Sequence, residues 1–343
     1  MTSDPARAGR TRGATAAPTL HDVAARADVS LMTASRALSG SPKVREEKVK
    51  RVVAAAADLG YRRNENARSL RPGQRSGLIG VVITNASNPY YAELQLGAEQ
   101  VLAGDGMRML VGNTAEDLDR ERRLVADFVG WQVDGLIVVP TGADSSHLAA
   151  LAGLNIPLVL AARTVDELAV DTVLIDDLGG TRSAVHGLLE QGHTRIAFLG
   201  YGMSVPTSER RLRGFEEAHT EAGVPVDQHL VFSGSPAPDA AMRAAAELLQ
   251  VPRPPSAVFC ANNRNTVALM HALKNADIEH RRPQFRVVAF DNFDTADLMP
   301  IHLAVVDHDP REMGRTAARL LVERLHGERG AARTVELPTH FLS

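Results

Sequence analysis

Thr19-Leu-His-Asp-Val-Ala-Ala-Arg-Ala-Asp-Val-Ser-Leu-Met-Thr-Ala-Ser-Arg-Ala-Leu38 reads as two short helices hinged at a tight turn. Thr19 and Asp22 have the spacing at which a hydroxyl and a carboxylate satisfy backbone donors at a helix start. Leu20, Val23, Ala24 and Ala27 then recur at helical period and form one apolar face. Asp28-Val29-Ser30 interrupts the period, and Ser30 is suited to cap a second helix that turns Ala34, Ala37 and Leu38 inward. Leu31, Met32, Thr33, Ser35 and Arg36 are left on its outward face. This is the outline of a helix-turn-helix, the unit that lays one helix in the DNA major groove. Taken alone, the pattern also fits an ordinary amphipathic helix pair inside a larger core.

Charge favours the first reading. Residues 1–75 hold 15 Lys+Arg against 7 Asp+Glu, a balance of +8. The whole chain holds 38 against 41, which leaves 23 against 34, or −11, for residues 76–343. A basic head on an acidic body is expected where only the head meets phosphate. The overall charge of −3 conceals the division.

After the turn comes a third helical pattern, roughly Arg45 to Leu59, with Val49, Val52, Val53, Ala56 and Leu59 on one stripe. Leu59-Gly-Tyr-Arg-Arg-Asn-Glu-Asn-Ala-Arg-Ser-Leu70 follows. These segments resemble the DNA-binding headpiece and hinge of the LacI/GalR family of bacterial transcription regulators. The resemblance extends over essentially the whole chain beyond the leading residues. It implies a DNA-contacting set of Thr19, Leu31, Met32, Thr33, Ser35 and Arg36 in the headpiece, and Asn64, Ala67, Arg68 and Leu70 in the hinge. Leu70 matches the apolar wedge that the family inserts between central base pairs. Arg63 stands where the family usually has proline.

From Ser76 onward, apolar runs alternate with helical patterns. Leu78–Ile83, Arg108–Val111, Gly135–Val139, Pro157–Leu160, Arg195–Leu199, Ala257–Cys260 and Phe285–Phe290 read as buried parallel strands. Tyr91–Ala103 and Asp117–Val129 read as helices between them. The expected architecture is an all-α helix-turn-helix headpiece plus an α/β core of two lobes, each a doubly wound parallel sheet. Such lobes bind ligands outside the carboxyl ends of their strands and close on them about a hinge. That the core is periplasmic-binding-protein-like, with three chain crossings between lobes, is what the resemblance implies. The expected organisation is a disordered tail over 1–18, a helix-turn-helix domain over 19–62, a hinge helix and linker over 63–75, and the core over 76–343. One lobe takes roughly 76–176 plus 307–328, the other 177–303 plus 329–343.

Polar groups at the strand ends are candidates for an effector site. The resemblance implies a stacking role for Tyr90 in Asn88-Pro-Tyr90, a forked donor in Arg211 of Arg211-Leu-Arg-Gly-Phe215, and acceptors in Asn262 and Asp291. As plain residues, each also suits a helix cap or a turn. The chain departs from the family in having Asn262-Asn263 for Asn-Asp and Ala162-Arg163 for Asp-Arg. It also has Leu303-Ala-Val-Val-Asp-His308 for a Leu-Thr-Thr-Val-x-Gln pattern. Two lost carboxylates weaken the case for a neutral sugar gripped by Asp–hydroxyl pairs, and a phosphorylated sugar, a sugar acid or a purine all fit.

Other chemistry is thinly represented. Gly200-Tyr-Gly-Met-Ser-Val205 follows a strand but lacks the third glycine of a dinucleotide fingerprint. No metal motif or catalytic set assembles, so neither cofactor nor metal is expected. Cys260, the one cysteine, lies in an apolar run and reads as a buried strand thiol in a reducing compartment. Residues 1–18 carry Arg7, Arg10 and Arg12 with no apolar run, so no export signal or membrane span is expected. The expectation is a cytoplasmic homodimeric repressor that reads a pseudo-palindromic operator and answers to a small molecule held between the lobes. A cytoplasmic sugar- or nucleoside-processing enzyme and a solute-binding protein are the alternatives.

Overall fold

Capping chemistry sets the start of the first helices. Thr19 Oγ1 accepts from Asp22 N at 3.4 Å and Asp22 Oδ2 accepts from Thr19 N at 2.8 Å, a reciprocal box opening α1 (Leu20–Arg26). Asp28 takes a left-handed φ of +51° in the turn, a conformation aspartate tolerates. Ser30 Oγ then accepts from Thr33 N at 3.2 Å at the head of α2 (Leu31–Leu38). The third helix, α3, spans Glu46–Asp58. Val23, Ala24, Ala27, Ala34, Ala37, Val52, Ala55 and Ala56 form the core of this bundle. Small side chains let three short helices approach closely. Val53, expected on the buried stripe, is 51% exposed. At 100° per residue it stands a quarter-turn beyond Val52, while Val49, Ala55, Ala56 and Leu59 flank Val52 on both sides.

The computed structural model describes residues 18–61, 75–142, 144–165, 168–202, 205–234, 239–275, 284–293, 296 and 303–342. The chain divides into a unit over residues 1–74 and a second over 75–343. The leading tail up to residue 17 and the hinge over 62–74 lie outside the described residues.

In the second unit the chain runs β1 (Leu78–Ile83), α4 (Pro89–Gly104), β2 (Arg108–Asn113), α5 (Leu118–Gly130), β3 (Gly135–Val138), α6 (Ser146–Gly153), β4 (Leu158–Ala161) and β5 (Asp171–Ile175). The next stretch is α7 (Asp177–Glu190), β6 (Ile196–Tyr201), α8 (Pro206–Glu221), β7 (Val231–Gly234), α9 (Ala240–Gln250), β8 (Ala257–Cys260), α10 (Asn263–Asn275), β9 (Arg286–Phe290) and β10 (Leu303–Asp307). Finally come α11 (Pro310–Leu325), β11 (Thr334–Leu337) and β12 (His340–Leu342). Among the described residues these strands form two sheets, ordered β11-β5-β4-β3-β1-β2 and β12-β10-β9-β8-β6-β7. Neighbours pair in parallel except β10 with β12. Both sheets reverse winding direction beside their first strand, the position where open α/β sheets bind ligands.

The chain passes between sheets after β5, after β10 and after β11. The last passage corrects the expected lobe limits. Residues 334–337 pair with β5 in the first sheet, so only β12 joins the second from the terminal segment. A parallel register with Thr172–Ile175 supplies the ladder bonds that fix β11 there.

Each lobe contains one pair of helices in backbone contact. A Cβ on Gly314 of α11 would overlap Leu94 O of α4, and one on Gly97 would overlap Arg311 O. In the second lobe, a Cβ on Gly214 of α8 would overlap Leu178 O of α7. Glycine at these crossings is required by contact distance. The first sheet is further tied by Asp171 at the head of β5, which accepts from Arg324 of α11 and from Arg333 before β11.

Candidate functional site

On the headpiece, α2 presents Leu31 at 48% and Met32 at 62% exposure, with Arg36 also exposed. Leu31 and Met32 are consecutive, so together they form one small apolar patch beside Arg36. Thr33 and Ser35 are half-buried: Thr33 Oγ1 is engaged with Ser30 Oγ at 2.8 Å, and Ser35 O accepts from Ser39 Oγ. Thr19 is exposed but committed to its capping box. Asn64, Ala67, Arg68 and Leu70 lie outside the described residues.

In the second unit a cleft opens at the carboxyl ends of both sheets. It is lined from the first lobe by Asn85, Asn88, Tyr90, Glu116, Ala162 and Arg163, and from the second by Tyr201, Ser208, Arg211, Asn262, Arg264 and Asp291, among others. Tyr90, Arg211, Asn262 and Asp291, expected as a site on separate motifs, are thus brought together. Ala162 follows β4 at φ +63° and Asp291 follows β9 at φ +70°, so the two lobes turn equivalent corners in the left-handed region. Aspartate tolerates that region but alanine does not favour it, and strain such as that at Ala162 gathers at binding sites.

Arg211 is the hub of the second lobe. Its Nε donates to Asp177 Oδ1 at 2.7 Å, Nη1 donates to Ala261 O, and Nη2 donates to Asp291 Oδ1 at 3.4 Å. The guanidinium lies 3.6 Å above the Phe290 ring centroid. Asp291 is buried, which raises its carboxyl, yet Arg211 and then His308 outweigh burial and hold it below the usual range. His308 Nε2 stands 3.3 Å from Asp291 Oδ1. Burial lowers His308, but the Asp291 carboxylate prevails and its pKa is raised. For Asp177 burial wins, and its carboxyl is raised despite Arg211.

Tyr90 packs edge-on to Tyr91 with ring centroids 5.0 Å apart and tilts over His308 at 5.5 Å. Its buried hydroxyl has no hydrogen-bond partner among the described residues, and burial raises its pKa well above 10.0. Asn262 does what a plain helix cap does: its Oδ1 accepts from Asn265 N at 2.9 Å at the start of α10, and the residue also lines the cleft.

Several cleft residues were not among the expected site residues, although their motifs were. Arg163 donates from both terminal nitrogens to Glu116, at 2.8 Å each, and from Nη1 to Pro140 O at 3.0 Å. The pair joins positions 47 apart, and Glu116 sits at φ +61°. Asn88 caps α4 by accepting from Tyr90 N at 3.1 Å. Asn263 then reaches it from the opposite lobe. Cys260 is buried and its thiol pushed up to about 12 by burial, as a strand thiol should be.

A helix-turn-helix unit and a two-lobed α/β unit with a charged interlobe cleft, on one chain, define a ligand-responsive DNA-binding regulator. Residues 19–64 match the family model of bacterial regulatory proteins of the lacI family. Residues 76–343 match that of periplasmic binding proteins and the sugar binding domain of the LacI family. The chain belongs to the LacI family of bacterial transcription regulators. It is similar to catabolite control protein A of Priestia megaterium, 29% identical over 93% of this chain and 96% of the relative. It is also similar to the HTH-type transcriptional repressor CytR of Escherichia coli (strain K12), 29% identical over 91% of each. A solved complex of the transcriptional regulator CelR with cellobiose superposes with a TM-score of 0.70 at 30% identity, over 95% of this chain and 98% of that one. The lac repressor dimer bound to operator and an anti-inducer shares the fold, with a TM-score of 0.80 at 22% identity over 95% and 98%. These relatives are regulators, and an enzymatic reading is not favoured. Among the described residues no helix is long and apolar enough to cross a membrane.

Proposed function

We propose that the chain acts in the cytoplasm as a homodimeric repressor, each headpiece reading one half of a pseudo-palindromic operator. The observation that carries the reading is the outward face of α2, where Leu31 and Met32 are held in water beside Arg36. Arg36 is suited to guanine acceptors, and the two apolar residues to thymine methyls. A single small headpiece buries little surface, so two-fold pairing supplies the missing affinity. The operator complex of the lac repressor dimer supports that arrangement by shared fold. Thr19, Thr33 and Ser35 border the reading face, and Asn64, Ala67, Arg68 and Leu70 are proposed as the hinge that enters the minor groove.

The effector enters the cleft among Tyr90, Arg211, Asn262 and Asp291. Cellobiose in the CelR complex supports a polar, sugar-like ligand class. Differential affinity for open and closed lobes then shifts the DNA-binding state. The test is competition binding of the purified protein to operator against scrambled duplex. Arg36→Ala should lose about 1–3 kcal/mol of discrimination. Uniform weakening on both duplexes would reduce Arg36 to a phosphate contact, and unchanged preference would remove α2 from the groove.

A further inference from the structure

Among the described residues three guanidinium groups line the cleft, and two of them are spoken for. Arg163 is locked to Glu116, and Arg211 to Asp177, Asp291 and Ala261 O. The third, Arg264, lies half-buried in the first turn of α10, and no carboxylate, carbonyl or hydroxyl among the described residues accepts from it. Its neighbours along the chain, Asn262 and Asn263, carry no charge to balance it. The same cavity contains the Tyr90 hydroxyl, a buried donor without a partner among the described residues.

We infer that Arg264 reads an anionic group, carboxylate or phosphate, on a small polyhydroxylated effector. The inference rests on the cleft being the effector site and specifies what enters it. A guanidinium in a partly desolvated cleft, with no counter-ion among the described residues, attracts an anion far more strongly than one in bulk water. The helix start beneath it adds partial positive charge of the same sign. The two carboxylates among the described lining residues do not reverse this, because Glu116 is matched by Arg163 and Asp291 by Arg211. Asp291, Asn85 and Asn88 remain as polar groups for hydroxyls, and Tyr90 offers a ring face and a free O–H.

The experiment is a thermal melt of the full chain in inorganic phosphate against chloride of equal ionic strength, for wild type and Arg264→Gln. A ligand of the native state raises the melting temperature by mass action. Wild type should show a phosphate-specific rise that Arg264→Gln loses. Phosphate held by the basic headpiece raises both proteins alike and cancels in the comparison. Equal shifts in the two proteins, or none in either, overturn the inference. If Arg264→Gln melts low without phosphate, Arg264→Lys must retain the phosphate effect for the inference to stand. A second arm compares glucose, gluconate and glucose 6-phosphate, which separates carboxylate from phosphate ester. The favoured anion should bind about ten- to a hundred-fold more weakly to Arg264→Gln. Neutral glucose bound equally by both proteins would overturn the anion reading while keeping the cleft as effector site. A phosphate effect lost in Arg264→Gln with none of the three polyols bound would keep the anion site and count against a polyol effector.

Discussion

Asn263 donates from Nδ2 to Asn88 Oδ1 at 2.8 Å, and this bond runs from one lobe to the other across the cleft. The same Asn88 oxygen caps α4 through Tyr90 N, so one amide both starts a helix and holds the lobes together. The Asn263 Oδ1 atom is buried and unpartnered among the described residues, which makes the bond's stabilisation modest and its removal informative.

Asn263→Ala should withdraw about 1 kcal/mol from the closed arrangement, roughly a fivefold shift toward open lobes. Hydrogen exchange of the backbone amides of Asn88, Tyr90, Tyr91 and residues 263–266 in the ligand-free protein is the measurement. Faster exchange at both segments, with the rest of each lobe unchanged, is the expected result.

Arg211→Ala removes the cation between two buried carboxylates, leaving Asp177 with Arg210 at 3.8 Å and Asp291 with His308. The cost should be about 3–5 kcal/mol of stability, because a buried charge loses its partner. Urea unfolding would show a lower midpoint with little change in slope. Arg211→Lys keeps the charge and should fold, yet lose effector response because a single ammonium does not reproduce the forked contacts.

The crossing of α4 and α11 tolerates no side chain at Gly314. Gly314→Ala should destabilise the core unit by more than about 3 kcal/mol, since backbone, and not a flexible side-chain tip, occupies the space. Calorimetry that found the melting temperature unaltered would mean the helices can separate freely.

Acid stability should depend on Asp171. Burial raises its carboxyl, but hydrogen bonds from Arg324 and Arg333 overcome that and hold it at about 2. An unfolded aspartate titrates at about 3.9, so the folded value is depressed. The contribution is therefore complete above about pH 4 and lost as pH falls through about 2. Asp171→Asn should lower the melting temperature at neutral pH and flatten its decline across that acid window.

The parts legible in the sequence were those with local causes. Thr19, Asp22 and Ser30 announced two helix starts because capping acts within three residues, and the observed caps use those atoms. The run Leu78–Ile83 was visible as β1 because a strand buried on both faces has no polar interruptions. β5 was not, since Asp171 and Thr172 begin it with polar groups whose partners, Arg324 and Arg333, are distant in the chain. β7, β11 and β12 lie at sheet edges, half-exposed and short, where hydrophobic patterning fades. In the cleft, Arg211 and Asp291 were recognisable from motifs. Arg163 looked like the remnant of a lost pair, because nothing near it in the chain foretells Glu116. Asn262 suits either a cap or a ligand contact from its sequence, and it caps a helix at the cleft wall.

One helix links the two ends of the core. α11 starts at Pro310, two residues past His308, which packs behind Tyr90 and Asp291 of the cleft wall, and ends at Leu325, whose carbonyl accepts from the Arg75 guanidinium. Its 16 residues make a rod of about 24 Å. Arg75 is the first residue of the core unit, the root of the segment that leads back to the DNA-reading helices. Gly314 and Gly97 seat the rod directly on the backbone of α4, so it moves with its lobe and does not flex on its own. A shift of His308 along this axis would therefore be felt at the Leu325 carbonyl that holds Arg75. A lever of this kind would deliver at Arg75 a translation and not a bend, and Arg75→Ala, by freeing the far end, should uncouple the two.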